Sequence, residues 1–195
     1  MNTFTYNPAY IASIATTVDN ALQFHNRVTA IRVDLRLPDN FAGLEMSSSI
    51  ITRFIESLKA KVAVDLRRKE QAWGRKLLCS LKYVWVREFG PLNGKRHFHV
   101  LLLLNKDVYR SLGDFNDESG NLSAMTRQAW CSALGLPFLG YQQLVHFPHG
   151  AVMHMDKNAP EFMQQLQIVL DRAKYLAKEF SKQYGDGQRS FGCSR

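Results

Sequence analysis

Cysteine is scarce in this chain of 195 residues. Its three cysteines, Cys79, Cys131 and Cys193, lie far apart and form no CxxC pair. This spacing argues against a cysteine-ligated zinc site and against a framework of disulfides. A small and odd number of cysteines is typical of proteins in a reducing compartment, so we expect the protein in the cytoplasm.

Long apolar runs are also missing. A membrane-spanning helix needs roughly 20 consecutive apolar residues, and the sequence contains no such run. Its first residues lack the basic-then-apolar layout of a signal peptide, so we expect no membrane partner. Internal repeats and low-complexity tracts are absent as well. The length therefore predicts one domain over residues 1–195, with residues 1–25 as an N-terminal helical extension.

Acidic residues are outnumbered, at 17 against 25 lysines and arginines, which gives a net charge of +8. This balance favours an anionic partner, with nucleic acid as the first candidate. Basic residues cluster near the end of a predicted long helix and are candidates for phosphate contacts, although a solvated helix end is the competing interpretation for each. The candidates are Arg67, Arg68, Lys69, Arg75 and Lys76, joined by Arg32 and Arg36 of a predicted strand.

Apolar and polar residues alternate in patterns that predict an antiparallel sheet with helices packed on it. The predicted helices cover residues 8–25, 47–73, 122–134 and 158–184. The predicted strands cover residues 28–37, 79–89, 96–104, 141–147 and 151–155. Turn residues at 90–95 join the second and third strands into a hairpin. The order is α-β-α-β-β-α-β-β-α, and the fold class is α+β.

Two histidines, His97 and His99, flank Phe98 at the start of the third predicted strand. Side chains alternate along a strand, so both imidazoles lie on one face while Phe98 lies on the other. The apolar run after them indicates a strand that is buried on both sides. A buried polar pair needs partners, and a metal ion is a suitable partner for two imidazoles.

A metal ion usually takes a third protein ligand. Glu88 ends the preceding strand, and the predicted hairpin brings it near His97. Asp34 on the first predicted strand is the alternative, and its competing interpretations are a surface charge or a salt bridge to Arg32 or Arg36. Two imidazoles and one carboxylate suit a divalent ion such as Mn²⁺ or Mg²⁺.

The remaining histidines fit a metal site less well. His146 and His149 are separated by Pro148, which interrupts any regular element that would align them, and His25 and His154 stand alone. We interpret these four as structural or as contacts to DNA.

Tyr175 is a candidate nucleophile. On the predicted last helix the apolar stripe runs from Phe162 to Phe180, and Tyr175 faces away from it together with Lys178. A surface tyrosine is the competing interpretation. A phenol becomes a good nucleophile when a cation or a base helps to remove its proton, and Lys178 or a metal ion supplies that help.

The histidine pair followed by Tyr175-Leu176-Ala177-Lys178 resembles the HUH endonucleases, in which a His-hydrophobic-His strand precedes a YxxK helix. This order matches rolling-circle replication initiators, whereas conjugative relaxases place the tyrosine first. A closer resemblance is to the inovirus replication-initiation proteins, also described as the YagK/YfjJ C-terminal domain family. It covers about residues 25–195. The motifs that carry it are Arg32 to Leu35, Trp85 to Glu88, His97 to Asn105, Lys174 to Lys178 and Tyr184 to Gly192.

The resemblance implies a five-stranded antiparallel sheet of ferredoxin-like or RRM-like topology, a divalent metal ion and a covalent 5′-phosphotyrosyl intermediate. One departure is that no second tyrosine lies within a turn of Tyr175, so a single-tyrosine enzyme is implied and Tyr184 is expected off the site.

We therefore expect a metal-dependent, site-specific endonuclease and ligase for single-stranded DNA, with Tyr175 and Lys178 as its catalytic residues. It would start rolling-circle replication of a filamentous phage or a related element in the cytoplasm of a bacterial host. Its partners would be single-stranded or hairpin origin DNA and the host helicase and polymerase, because the sequence has no GxxxxGK[ST] motif of its own. The alternatives are a non-catalytic DNA-binding regulator on the same scaffold and a phosphodiesterase that uses water.

Overall fold

The computed structural model describes residues 5–38, 49–90, 96–180, 182 and 184–195. Its helices are α1 (Pro8–Phe24), α2 (Ser49–Trp73), α3 (Leu122–Leu134) and α4 (Phe162–Ala173). Its strands are β1 (Arg27–Arg36), β2 (Lys82–Phe89), β3 (Arg96–Asn105), β4 (Val145–His146), β5 (Val152–Asp156) and β6 (Phe191–Cys193). The predicted elements occur in the predicted order, and β6 follows them. The strand predicted at 141–147 is limited to β4, because residues Gln142–Leu144 form a 3-10 helix. Residues 47 and 48 of the predicted helix start and residues 91–95 of the predicted turn lie outside the described residues.

Every pair of neighbouring strands in the sheet is antiparallel. The strands β1, β3, β2 and β6 lie side by side in that order, while β4 and β5 follow one another along the other edge of β1. The six strands therefore occupy five positions. The order β4-β1-β3-β2, with α2 and α3 as the connecting helices, is the ferredoxin-like arrangement. The predicted α+β class with helices flanking an antiparallel sheet is confirmed.

One face of the sheet packs against α2 and α3. Phe98 points from β3 into this layer, where its ring lies 5.9 Å from Trp130 and 6.2 Å from Trp85, both in edge-to-face geometry. Such aromatic pairs add to the stabilisation that burial provides. Since side chains alternate along a strand, the burial of Phe98 on this face places His97 and His99 on the other.

The second face packs against α1 and α4. Leu101 and Leu103 of β3 join Ile14 and Val18 of α1 and Val169 of α4 in one buried cluster. Two residues before Leu101, the same face of β3 carries His99, so polar side chains replace the apolar packing at this position. The polar site consequently lies at the end of this face where β1 and β2 end and β3 begins.

The last helix ends earlier than the apolar periodicity predicts, and the prediction of a regular helix to Tyr184 is wrong. The helix α4 ends at Ala173, residues Lys174–Ala177 form a 3-10 turn, and Lys178 has extended backbone. The amide of Asn7 donates to the carbonyl oxygen of Ala177 at 2.8 Å, and residue 6 bridges residue 178 in antiparallel fashion. These non-local bonds pair backbone groups that a continued helix would use internally.

The helices in the described part of the chain are too short or too polar to cross a membrane.

Candidate active site

Three adjacent strands bring the candidate residues onto one face of the sheet. The register pairs Glu88 of β2 with His97 of β3, and Asp34 of β1 with His99 of β3. Directly paired residues point to the same face, and Arg32 shares this face because it lies two residues before Asp34. The predicted hairpin geometry between Glu88 and His97 is therefore present.

Glu88, His97 and His99 form a cluster whose ligand atoms all lie within 4.8 Å of one another. Glu88 Oε2 lies 3.3 Å from His99 Nε2 and 3.9 Å from His97 Nε2. Two atoms that each lie about 2.1 Å from a Mg²⁺-sized ion are about 3 Å apart at right angles and about 4.2 Å apart on opposite sides. The carboxylate–imidazole distances fall in this range, so the donor set fits a divalent ion.

Glu88 is a buried carboxylate, with 2% of the residue exposed. It contacts both imidazoles through Oε2 and an ammonium group through Oε1. Lys182 Nζ lies 3.3 Å from Glu88 Oε1, and the Lys182 side chain is fully buried. Burial lowers the pKa of Lys182, and the neighbouring Glu88 carboxylate opposes this effect. A bound ion would therefore share Glu88 with this lysine.

Asp34 forms a hydrogen bond with Nδ1, the other ring nitrogen of His99. Its Oδ1 lies 2.6 Å from His99 Nδ1, so the carboxylate accepts the Nδ1 proton and leaves Nε2 directed at Glu88. Burial works to raise the pKa of Asp34, but the hydrogen bond from His99 and the charges of His99 and Arg32 bring it down to about 2. Burial likewise works to lower the pKa of His99, and the bonds to Asp34 and Glu88 outweigh it and raise this pKa.

The two candidates for the third ligand thus have different positions. Glu88 lies beside the Nε2 atoms of both histidines. Asp34 instead fixes the ring orientation of His99 through its Nδ1 atom, on the side away from Glu88. A carboxylate that holds the non-ligating nitrogen of a histidine is the usual partner of a metal-bound imidazole.

Tyr175 lies against this cluster, although it is 76 positions from His99 in the sequence. The rings of Tyr175 and His99 are 5.5 Å apart and nearly perpendicular. Two cations lie over the tyrosine ring, with Lys178 Nζ 3.8 Å and the Arg32 guanidinium carbon 4.4 Å from its centroid. Tyr175 is 36% exposed, so solvent reaches it while its ring contacts the cluster.

Arg32 connects the tyrosine to the histidine–carboxylate cluster. Its Nε donates to Asp34 Oδ1 at 3.2 Å while its guanidinium group stacks on Tyr175. A planar guanidinium group can donate at its edge and lie over a ring with its face, so it makes both contacts at once. Arg36, the next residue on this face of β1, pairs with His97 in register and is exposed at the rim of the site.

The structure adds His146 to the site. Its Nδ1 lies 3.6 Å from Asp34 Oδ2, and it is the residue that β4 places opposite Asp34. The sequence pattern could not indicate this, because β4 contains two residues and shows no periodicity.

The basic residues of α2 lie away from this site. The chain that follows them reaches the far end of β3, where the Asn105 side chain donates to Leu78 O at 2.8 Å. The distance from His99 to Asn105 is six residues of strand, or roughly 20 Å, and α2 covers the opposite face. Arg68 and Lys69 also form ion pairs with the buried Asp65. The role of these residues in DNA binding stays a prediction.

Comparison with known proteins gives the family. The model of the YagK/YfjJ C-terminal domain family matches residues 4–194. The chain is 42% identical over 178 residues to the uncharacterized protein YagK of Escherichia coli (strain K12), a match that covers 87% of this chain and 84% of that protein. It is 36% identical over 195 residues to the uncharacterized protein YfjJ of the same organism, with 95% and 93% covered. No solved structure matches the chain.

Proposed function

The chain belongs to the YagK/YfjJ C-terminal domain family, and from its site we propose that it is a metal-dependent endonuclease and ligase of the HUH type for single-stranded DNA. In this proposal it cuts one strand of a single-stranded or hairpin origin and starts rolling-circle replication of a filamentous phage or a related element in a bacterial cytoplasm. The observation that carries the proposal is the contact of Tyr175 with His99 of the Glu88–His97–His99 cluster.

Glu88, His97 and His99 are the residues that would hold a divalent ion, Mn²⁺ or Mg²⁺. Such an ion supplies positive charge to the oxygens of a phosphodiester and orients it for attack. Asp34 keeps the Nδ1 proton of His99 engaged, so that Nε2 carries the lone pair needed for ligation.

Tyr175 is the nucleophile in this scheme. Its oxygen forms a bond to phosphorus while the bond from phosphorus to the 3′ oxygen breaks. The phenol loses one proton and the 3′ oxygen gains one, so no further reactant is consumed. The 5′ end stays on Tyr175 as a phosphodiester, and a later 3′ hydroxyl can reverse the exchange and rejoin the strand. The released 3′ hydroxyl serves the host polymerase, while a host helicase separates the strands.

Arg32 and Lys178 are the cationic helpers. Both lie over the ring of Tyr175, where they stabilise negative charge that develops on the phenolic oxygen and on the phosphate during attack. Fixed charges aimed at the developing charge of a transition state are commonly the largest single contribution to catalysis. Burial lowers the pKa of Lys178, and the nearby Arg32 charge adds to this effect against the opposing Glu88.

Covalent capture tests the proposal. Single-stranded oligonucleotides drawn from DNA that flanks the coding sequence are incubated with the protein and Mn²⁺, and the products are separated under denaturing conditions. We expect a protein–DNA adduct with the wild type and none with Tyr175→Phe, with the His97→Ala and His99→Ala double variant, or in chelator. Cut DNA without any adduct would instead identify a phosphodiesterase that uses water.

A non-catalytic DNA-binding regulator is the second candidate function. The observation that favours it is the buried Lys182 ammonium beside Glu88, because this group already neutralises the carboxylate without a metal ion. Tight binding of single-stranded or hairpin DNA with neither cut product nor adduct would support this function and contradict the nuclease.

A further inference from the structure

Phe180 is a residue that the proposed function leaves unexplained. The helical periodicity predicts it in the core, yet 80% of it is exposed, and the prediction for this residue is wrong. Single exposed apolar residues are common on protein surfaces. The backbone that carries this one, however, is anchored to the candidate active site.

Phe180 lies in a tight turn whose two ends are fixed. The amide of Lys182 donates to the carbonyl oxygen of Glu179 at 3.0 Å, which closes the turn around Phe180. At one end the amide of Glu179 donates to Thr5 O at 3.0 Å. At the other end the side chain of Lys182 reaches Glu88. The backbone that carries the exposed ring is therefore held in place before any partner arrives, which reduces the backbone entropy lost on binding.

A second exposed aromatic residue follows on the same segment. Tyr184 is 54% exposed and lies beside Tyr10. Burial raises the pKa of the Tyr10 phenol, and a hydrogen bond with Tyr184 adds to this effect. The Tyr10 ring in turn stacks on Phe191 at 4.2 Å and lies 6.0 Å from Lys182 Nζ. Tyr184 is thus supported by a stacked aromatic pair beside the same lysine that contacts Glu88.

Charge on this segment is predominantly positive. Lys174 is exposed, Lys178 is half-buried beside Tyr175, and both precede Phe180 by a few residues. Exposed aromatic rings interleaved with cations are the arrangement by which proteins bind single-stranded nucleic acid, because the rings stack on bases while the cations contact phosphates.

We propose that Phe180 and Tyr184 form a stacking surface for unpaired bases next to the phosphate that Tyr175 attacks, and we call this pair the aromatic ledge. The occupant is single-stranded DNA, so this inference rests on the proposed function and extends it to the bases that flank the cut. Stacking tolerates any base, so the ledge would hold the strand while other contacts select the sequence.

The experiment compares binding of two probes of about 20 nucleotides, oligo(dT) and an abasic strand with the same phosphates, at several salt concentrations. We expect the wild type to bind oligo(dT) about ten-fold or more tightly than the abasic strand. Phe180→Ala should remove most of this preference, while Phe180→Trp should keep it. The slope of log affinity against log salt should be unchanged in Phe180→Ala, because this change removes no phosphate contact.

Phe24→Ala is the matched control, since Phe24 is 63% exposed at the end of α1 and lies outside the segment that carries Tyr175. It should bind both probes as the wild type does. Equal affinity of Phe180→Ala and wild type for oligo(dT) would overturn the aromatic ledge alone, and so would an equal loss in Phe24→Ala. A wild type that binds neither probe would contradict the proposed function and this inference together.

Discussion

Replacement of Asp34 by asparagine should weaken metal binding without unfolding the protein. Asp34 accepts the Nδ1 proton of His99 across 2.6 Å, and its pKa of about 2 keeps it ionised at neutral pH. Asparagine has nearly the same shape but no charge, and hydrogen bonds to a charged acceptor are roughly twice as strong as neutral ones. Its amide group can also donate to Nδ1, which would move the imidazole proton to Nε2 and block the lone pair that faces Glu88.

The size of the effect follows from the position of Asp34 behind the cluster. Loss of a carboxylate that orients a metal-bound histidine typically weakens metal binding by about 10- to 100-fold, which corresponds to about 1.4 to 2.8 kcal/mol. The assay is a Mn²⁺ titration in which electron paramagnetic resonance reports the free ion. Asp171→Asn is the control, since Asp171 is exposed on α4 and accepts a hydrogen bond from Gln167. Wild-type affinity in Asp34→Asn, or an equal loss in Asp171→Asn, would refute the orienting role.

Three further predictions concern other parts of the molecule. Arg32→Gln should lower the single-turnover rate of adduct formation by about 10²-fold, while Arg36→Gln, at the exposed rim, should change this rate by about two-fold or less. Equal rates for the two variants would contradict the role of Arg32. Phe98→Ala should lower the free energy of unfolding by about 3–5 kcal/mol in urea denaturation, and a loss below about 1 kcal/mol would contradict its role in the aromatic core. A hydrogen bond from Arg87 lowers the pKa of Asp186 to about 2, so the stability lost in Asp186→Asn should be constant above pH ~5, where the unfolded carboxyl is also ionised. It should shrink as the pH falls from about 5 towards 2, and a difference that stays constant over that range would argue against this ion pair.

Much of the candidate site could be predicted because it is built from local strand geometry. Alternation along one strand places His97 and His99 on one face and Phe98 on the other, and a hairpin of consecutive strands places Glu88 opposite His97. Both rules depend on residues near one another in the sequence. They do not depend on how distant elements pack, so the sequence alone predicts which of these side chains share a face.

The remaining parts depend on contacts between distant segments. The apolar spacing from Phe162 to Phe180 continues past Ala173, but pairing of residues 5–7 with residues 177–179 ends the helix. Likewise, the contact of Arg32 with Tyr175 depends on how β1 and the segment after α4 pack together. No periodicity within either segment encodes these contacts, so the sequence predicts the residue types of the site but not the full set of neighbours of Tyr175.

Peptide mapping by mass spectrometry of the trapped adduct tests directly whether Tyr175 becomes joined to DNA. The adduct formed with a cleavable single-stranded oligonucleotide is digested with protease and nuclease, and the modified residue is identified. The expected result is a nucleotide phosphate on Tyr175, loss of the adduct in Tyr175→Phe and its retention in Tyr184→Phe. A nucleotide attached to Tyr184 or to any other residue, or an adduct that persists in Tyr175→Phe, would contradict it.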